Sequence, residues 1–157
     1  MAFAICVLIT WFVICTLSII PKTFKAVDLI FIYFLNTIFE LSIFSLFHIN
    51  LHWFNVGTST ELAFADLVLR LVMVPLVFVI ATQILFYSVG AWKWLVQVVI
   101  ILLFIPFSKF LEYLKILHLT QHWNMFYTIL MFFSYAFFSW LMGKFMIFLD
   151  RKEGEQL

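Results

Sequence analysis

Five apolar runs divide the chain, and almost nothing charged lies inside them. They are Ala2–Ile20, Val27–Phe47, Leu62–Val89, a run opening at Trp92-Lys93-Trp94, and Asn124–Leu149. A helix needs about 20 mainly apolar residues to cross a ~30 Å hydrocarbon core. Each run is long enough. The composition agrees: 66% of the 157 residues are hydrophobic and 11% charged, whereas soluble domains are about half apolar and about a quarter charged. A soluble core of this size cannot hide so much apolar surface, so the solvent is lipid. The expectation is an all-α polytopic bundle of five transmembrane helices in one domain over 1–157, at about 2–20, 27–47, 62–89, 92–117 and 124–149. A four-span version, with one run re-entrant or peripheral, is the alternative. The first run reads as a retained span, because no basic residue precedes it and no small-x-small cleavage site follows.

Two charges break the pattern. Glu40 lies seven residues inside Phe47, and Arg70 lies eight residues beyond Leu62. At ~1.5 Å per residue both sit ~10–12 Å deep. Matched depth on neighbouring helices predicts a buried ion pair. An ionisable residue within a membrane segment is a functional-site hypothesis by default, here a gate, a proton-coupled site or an anion-binding arginine. The competing reading is a structural clasp. A local rival exists too, since Asp66 precedes Arg70 by four residues on the same helix face. Asn36 shares a face with Glu40 at the same spacing. Pro75 removes a backbone donor, frees the carbonyl of Leu71 and predicts a kink. Thr58 and Glu61 have capping-box spacing ahead of the third helix.

A phrase recurs in the two longer connections. His48-x-x-x-His52-Trp53 returns as His118-x-x-x-His122-Trp123. On helical turns each pair presents two imidazoles on one face, and four nitrogens complete a tetrahedral zinc site, with Glu61 and Glu112 as further ligands. Interfacial His beside Trp is the plainer explanation of the phrase, so no cofactor is required. The repetition also hints at duplication of helices two–three and four–five, each copy carrying an acid, Glu40 or Glu112, ahead of its histidines. Beyond Phe107 the fourth run continues as an amphipathic stretch with Lys109, Glu112 and Lys115 on one face.

Five spans put Lys22, Lys25, Lys93, Arg151 and Lys152 on one side, with Lys144 snorkelling there, against Lys109 and Lys115 on the other. The positive-inside rule then gives an outer N-terminus and a cytoplasmic C-terminus. A net charge of +1 excludes a polybasic nucleic-acid binder. Cys6 and Cys15 stand on opposite faces of one helix and cannot pair within it. Ser139 and Gly143 form a small-xxx-small pair suited to close helix packing. There is no phosphate-cradling glycine loop and no nucleophile–histidine motif, which argues against an enzyme.

Leu-Val-Leu-Arg70…Pro75, Gly90-Ala-Trp-Lys93 and Phe110-Leu-Glu112…His122-Trp123-Asn124 together resemble small multi-span membrane proteins of Gram-positive bacteria, over about the last two-thirds of the chain. The resemblance implies a bacterial inner-membrane helical bundle with Arg70, Glu112 and Trp123 as positions of interest, and carries no activity with it. The leading functional expectation is a non-enzymatic protein acting in the bilayer by association with itself or a larger membrane partner. A transporter or channel subunit using Glu40 and Arg70 is the second, and an outer-face metal binder the third.

Overall fold

The computed structural model describes residues 1–87, 90, 92–120 and 123–154. Among them, helices α1 (Ala2–Ile19), α2 (Ala26–Asn50), α3 (Thr60–Tyr87), α4 (Trp92–Tyr113) and α5 (Met125–Gly154) are each long and apolar enough to cross a membrane. The outward faces carry large bare side chains, among them Leu8, Trp11 and Phe12 on α1, Leu103 on α4 and Phe126 on α5. Soluble monomers rarely expose so much contiguous apolar surface. The chain is a polytopic, all-α membrane protein.

Helix α3 is the axis of the bundle and touches the other four. Its buried face includes Leu69, Met73, Phe78 and Ala81. Phe78 stacks on Phe104 of α4 at 5.7 Å and on Tyr135 of α5 at 4.6 Å. Offset aromatic pairs of this kind add to simple area burial. On the far side of α3, Cys6 and Val13 of α1 join the same core. Cys15 of α1 is exposed, so the two cysteines do stand apart as their spacing requires.

The boundaries depart from the sequence reading in four places. Helix α2 continues past Phe47 as a π turn, Ser45–Asn50. Ser59, not Thr58, caps α3, its Oγ accepting from Leu62 N at 3.3 Å; Glu61 instead meets the Met1 amino group at 2.5 Å. Helix α4 stops at Tyr113 rather than near 117, because Lys115 adopts φ +59 and turns the backbone out of the helix. Helix α5 runs to Gly154, past the expected 149, with Arg151 and Lys152 in its last turn where cations complement the helix dipole. Ser88 and Val89, the end of the predicted third run, and the last three residues of the predicted domain lie outside the described residues.

The early end of α4 opens a new element. Leu117–Leu119, expected as helix, is a strand (β2) paired antiparallel with Phe54–Val56 (β1), Asn55 opposite His118. The α2–α3 and α4–α5 connections therefore join into a two-stranded ribbon across one end of the bundle. Lys25 Nζ meets Asp150 Oδ1 at 2.6 Å at the opposite end, as five alternating crossings require.

Pro75 disturbs α3 in a specific way. The helix widens into a π turn at Leu69–Met73. The carbonyl of Leu71, which Pro75 cannot serve, accepts from Tyr33 Oη of α2 at 2.7 Å. A membrane helix tolerates proline when a neighbour re-satisfies the freed group, and Tyr33 is that neighbour.

Candidate functional site

Arg70 lies in the π turn, ten residues into α3, and Glu40 lies ten residues before the end of α2. At ~1.5 Å per residue each is ~15 Å along its helix from the ribbon end, so the matched depth holds. The two rivals for Arg70 turn out to be partners at once. Its Nη1 donates to Glu40 Oε1 at 3.0 Å, and its Nε donates to Asp66 Oδ2 at 2.7 Å. The side chains of Glu40, Asp66 and Arg70 are 5%, 10% and 16% exposed. The guanidinium also lies over Phe44, 4.0 Å from the ring centroid, with Phe54 of β1 at 5.2 Å. Carboxylates take two of the cation's N–H groups at its edge, and rings lie against its plane.

Glu40 has a second bond. Tyr135 Oη of α5, fully buried, donates to its Oε2 at 2.5 Å. One turn along, Asn36 Nδ2 donates to Ser139 Oγ at 3.1 Å. Ser139 shares a hydrogen bond of 2.5 Å with Thr82 and reaches Phe78 O at 3.2 Å. A polar seam thus runs between α2, α3 and α5. Gly143 lets it close: a Cβ there would lie 2.4 Å from the Phe86 ring and 2.8 Å from Thr82. The small-xxx-small pair is spent inside the molecule, against α3.

Beside the charges is a cavity of about 60 Å³. Glu40, Asp66 and Arg70 line it, with Phe104 and Phe107 of α4, Phe132 of α5, and the ribbon residues Leu117 and Leu119 above. Two hydroxyls face it as well, Ser108 and Thr128. The Trp123 indole, another wall, donates to Thr128 Oγ1 at 2.9 Å. The cluster counts two carboxylates against one guanidinium. Among the described residues no hydrogen bond reaches Asp66 Oδ1, so this nearly buried carboxylate, which lines the cavity, keeps one oxygen without a partner.

The three described histidines stand in different local structures. His48 Nδ1 donates to Phe54 O at 2.8 Å, and its ring stacks between Phe44 and Phe54. His52 is past the helix, exposed, with φ +51. His118 is in β2 and exposed, and His122 lies outside the described residues. The shared helical faces expected of the His-x-x-x-His pairs are absent for both described loops, because one pair leaves the helix and the other begins in a strand. Among the described residues no three His, Cys, Asp or Glu side chains converge. The two loops do meet, with Trp53 and Trp123 edge-to-face at 6.4 Å and Thr120 Oγ1 donating to Trp53 O at 2.6 Å. Duplication stops there: Glu112 is near the surface, paired with Lys109 at 3.0 Å, and bears no likeness to buried Glu40.

Sequence reasoning missed Tyr135, Phe54 and Thr128. A signal existed for the first, as Tyr135, Ser139 and Gly143 recur every four residues on one face of an otherwise apolar helix. Phe54 had none, since its position depends on the pairing of two distant loops. Comparison with protein families, curated proteins and solved structures gives no match for this chain.

Proposed function

We propose that the protein is a transporter or channel subunit for a small solute or ion, with Glu40, Asp66 and Arg70 as its intramembrane site. The observation that carries this is the cavity against the cluster, with a free carboxylate oxygen on it. A clasp needs no cavity and no second acid. The charge count supports a cationic rather than an anionic occupant. Arg70 already donates to two carboxylates and lies against two rings, so its charge is more than matched before any anion enters. Taking an unbalanced charge out of water is costly, and a cation entering the cavity removes that cost. Binding near mid-bilayer is also where transporters hold their substrates.

The basic residues around Lys22, Lys93 and Arg151 support an orientation with that end cytoplasmic and the ribbon outside, in a bacterial inner membrane. The cavity, lined by the ribbon residues Leu117 and Leu119, then lies nearer the outer side. Self-association or a larger membrane partner keeps less support, because Ser139 and Gly143 are packed within the chain.

Flux into proteoliposomes tests the reading, with protons followed by an entrapped dye and rubidium and methylammonium by tracer. Protein should accelerate at least one of them over empty vesicles, and folded Glu40→Gln and Arg70→Gln should lose that rate. Wild-type vesicles no leakier than empty ones to every probe would refute it.

A further inference from the structure

The cavity's free acceptors define what its occupant must offer. Asp66 contributes the unpartnered Oδ1. Ser108 donates its hydroxyl proton to Phe104 O at 2.8 Å, which leaves its lone pairs for the cavity. Thr128 accepts from the Trp123 indole at 2.9 Å and retains a second lone pair. Glu40 and Arg70 also line it, bonded to each other; the remainder is apolar or aromatic, chiefly Phe104, Phe107 and Phe132.

A bare metal ion suits this wall poorly. Hard cations are held by six or more oxygens or keep their waters, and here few oxygens are free. An ammonium group suits it better. It carries one positive charge and up to three donors, it is attracted to aromatic rings, and an alkyl substituent matches the apolar remainder. Size sets the limit on that substituent. An apolar cavity of about 150 Å³ takes benzene, with its six-carbon ring, so one of about 60 Å³ suits an ion of two or three heavy atoms.

We propose that the occupant is a small primary ammonium ion with a one- or two-carbon chain, seated on Asp66 and directed by the Ser108 and Thr128 hydroxyls. This rests on the cation-site reading above and names its substrate class.

The test is thermal unfolding of the full chain in zwitterionic nanodiscs at constant ionic strength. Methylammonium chloride, sodium chloride, potassium chloride, tetramethylammonium chloride and sodium phosphate are compared. Methylammonium should raise the midpoint saturably, as any ligand selective for the folded state does, while tetramethylammonium, too large and without donors, should not. Asp66→Asn should weaken the methylammonium response by roughly tenfold or more, the loss of about one charged contact. Ser108→Ala leaves the Arg70 bonds intact and should weaken it less, which keeps the test valid if Asp66→Asn folds badly. Equal stabilisation by sodium or potassium would overturn the ammonium assignment and leave the cation site standing. Stabilisation by phosphate alone, or by nothing, would overturn both.

Discussion

Replacing Arg70 with methionine removes the one cation of the cluster and keeps much of its apolar bulk. Two charge-assisted hydrogen bonds disappear, to Asp66 at 2.7 Å and Glu40 at 3.0 Å. Each is worth ~1.5–3 kcal/mol. Removing one member of a buried pair costs about 3–5 kcal/mol, because the remaining charges stay desolvated and unmatched. Interhelical hydrogen bonds in membranes average only ~0.6 kcal/mol, but those are neutral pairs, and the stranded carboxylates dominate here. The expected loss is therefore about 3 kcal/mol or more. Tyr135→Phe loses the bond to the Glu40 carboxylate and a longer one to Asn36 O at 3.4 Å, and should cost about 1.5–3 kcal/mol. The decisive variant is the charge exchange Glu40→Arg with Arg70→Glu. A simple two-residue clasp is restored by exchange. This cluster is not, because a carboxylate at position 70 faces Asp66 four residues earlier, and the Tyr135 hydroxyl that now donates to Glu40 meets another donor. Adding Asp66→Asn should recover stability that the exchange alone does not. Reversible unfolding in mixed micelles measures all four. A loss under ~1 kcal/mol for Arg70→Met, the scale of an exposed ion pair, or full rescue by the exchange alone, would refute the reasoning.

Gly143→Val puts a branched side chain against Phe86 and Thr82; overpacking of this kind costs about 1–3 kcal/mol, read as a lower midpoint in the same unfolding assay. Tyr33→Phe leaves the Leu71 carbonyl without its 2.7 Å donor beside Pro75, and should destabilise by ~0.6–1.7 kcal/mol on the scale of membrane hydrogen bonds. Val56→Cys with Leu117→Cys, in a background lacking Cys6 and Cys15, joins directly opposed ribbon positions. They should oxidise to an intramolecular disulfide, seen as a mobility shift on gels, since opposed antiparallel Cα atoms lie within bridging distance; failure to cross-link would mean the two loops do not pair.

The bundle was legible because lipid leaves a strong mark on sequence. Runs such as Ala2–Ile20 and Val27–Phe47 had to be helices once their solvent was known. The Glu40–Arg70 contact was legible for a related reason, since depth follows from counting residues at constant rise. The choice between Glu40 and Asp66 was posed as exclusive, and it fails because a guanidinium has five donors on a flat fork. The freed Leu71 carbonyl was also foreseeable from Pro75, but its partner Tyr33 was not, as that depends on the rotation of α2 against α3. The strand at Leu117–Leu119 was misread as helix. Leu111, Leu114 and Leu117 fit helical spacing, and nothing local announces a turn at Lys115, which takes its positive φ to bring β2 beside β1. The cavity lies furthest from the sequence. It is a gap left by packing among four helices and a ribbon, and no spacing encodes a gap.

The measurement that separates a binding site from a clasp is the paired stability and flux of Asp66→Asn. Asparagine keeps an oxygen for Arg70 Nε and removes only the surplus negative charge, leaving Glu40 and Arg70 balanced. The weaker bond to Arg70 is offset by relief of the surplus buried charge, so the loss of folding free energy should stay below the ~3 kcal/mol expected of Arg70→Met, and cation flux in proteoliposomes should fall by roughly tenfold or more. Unchanged flux in a protein of unchanged stability would contradict the account, because the charge that distinguishes this site from a structural pair would then do nothing.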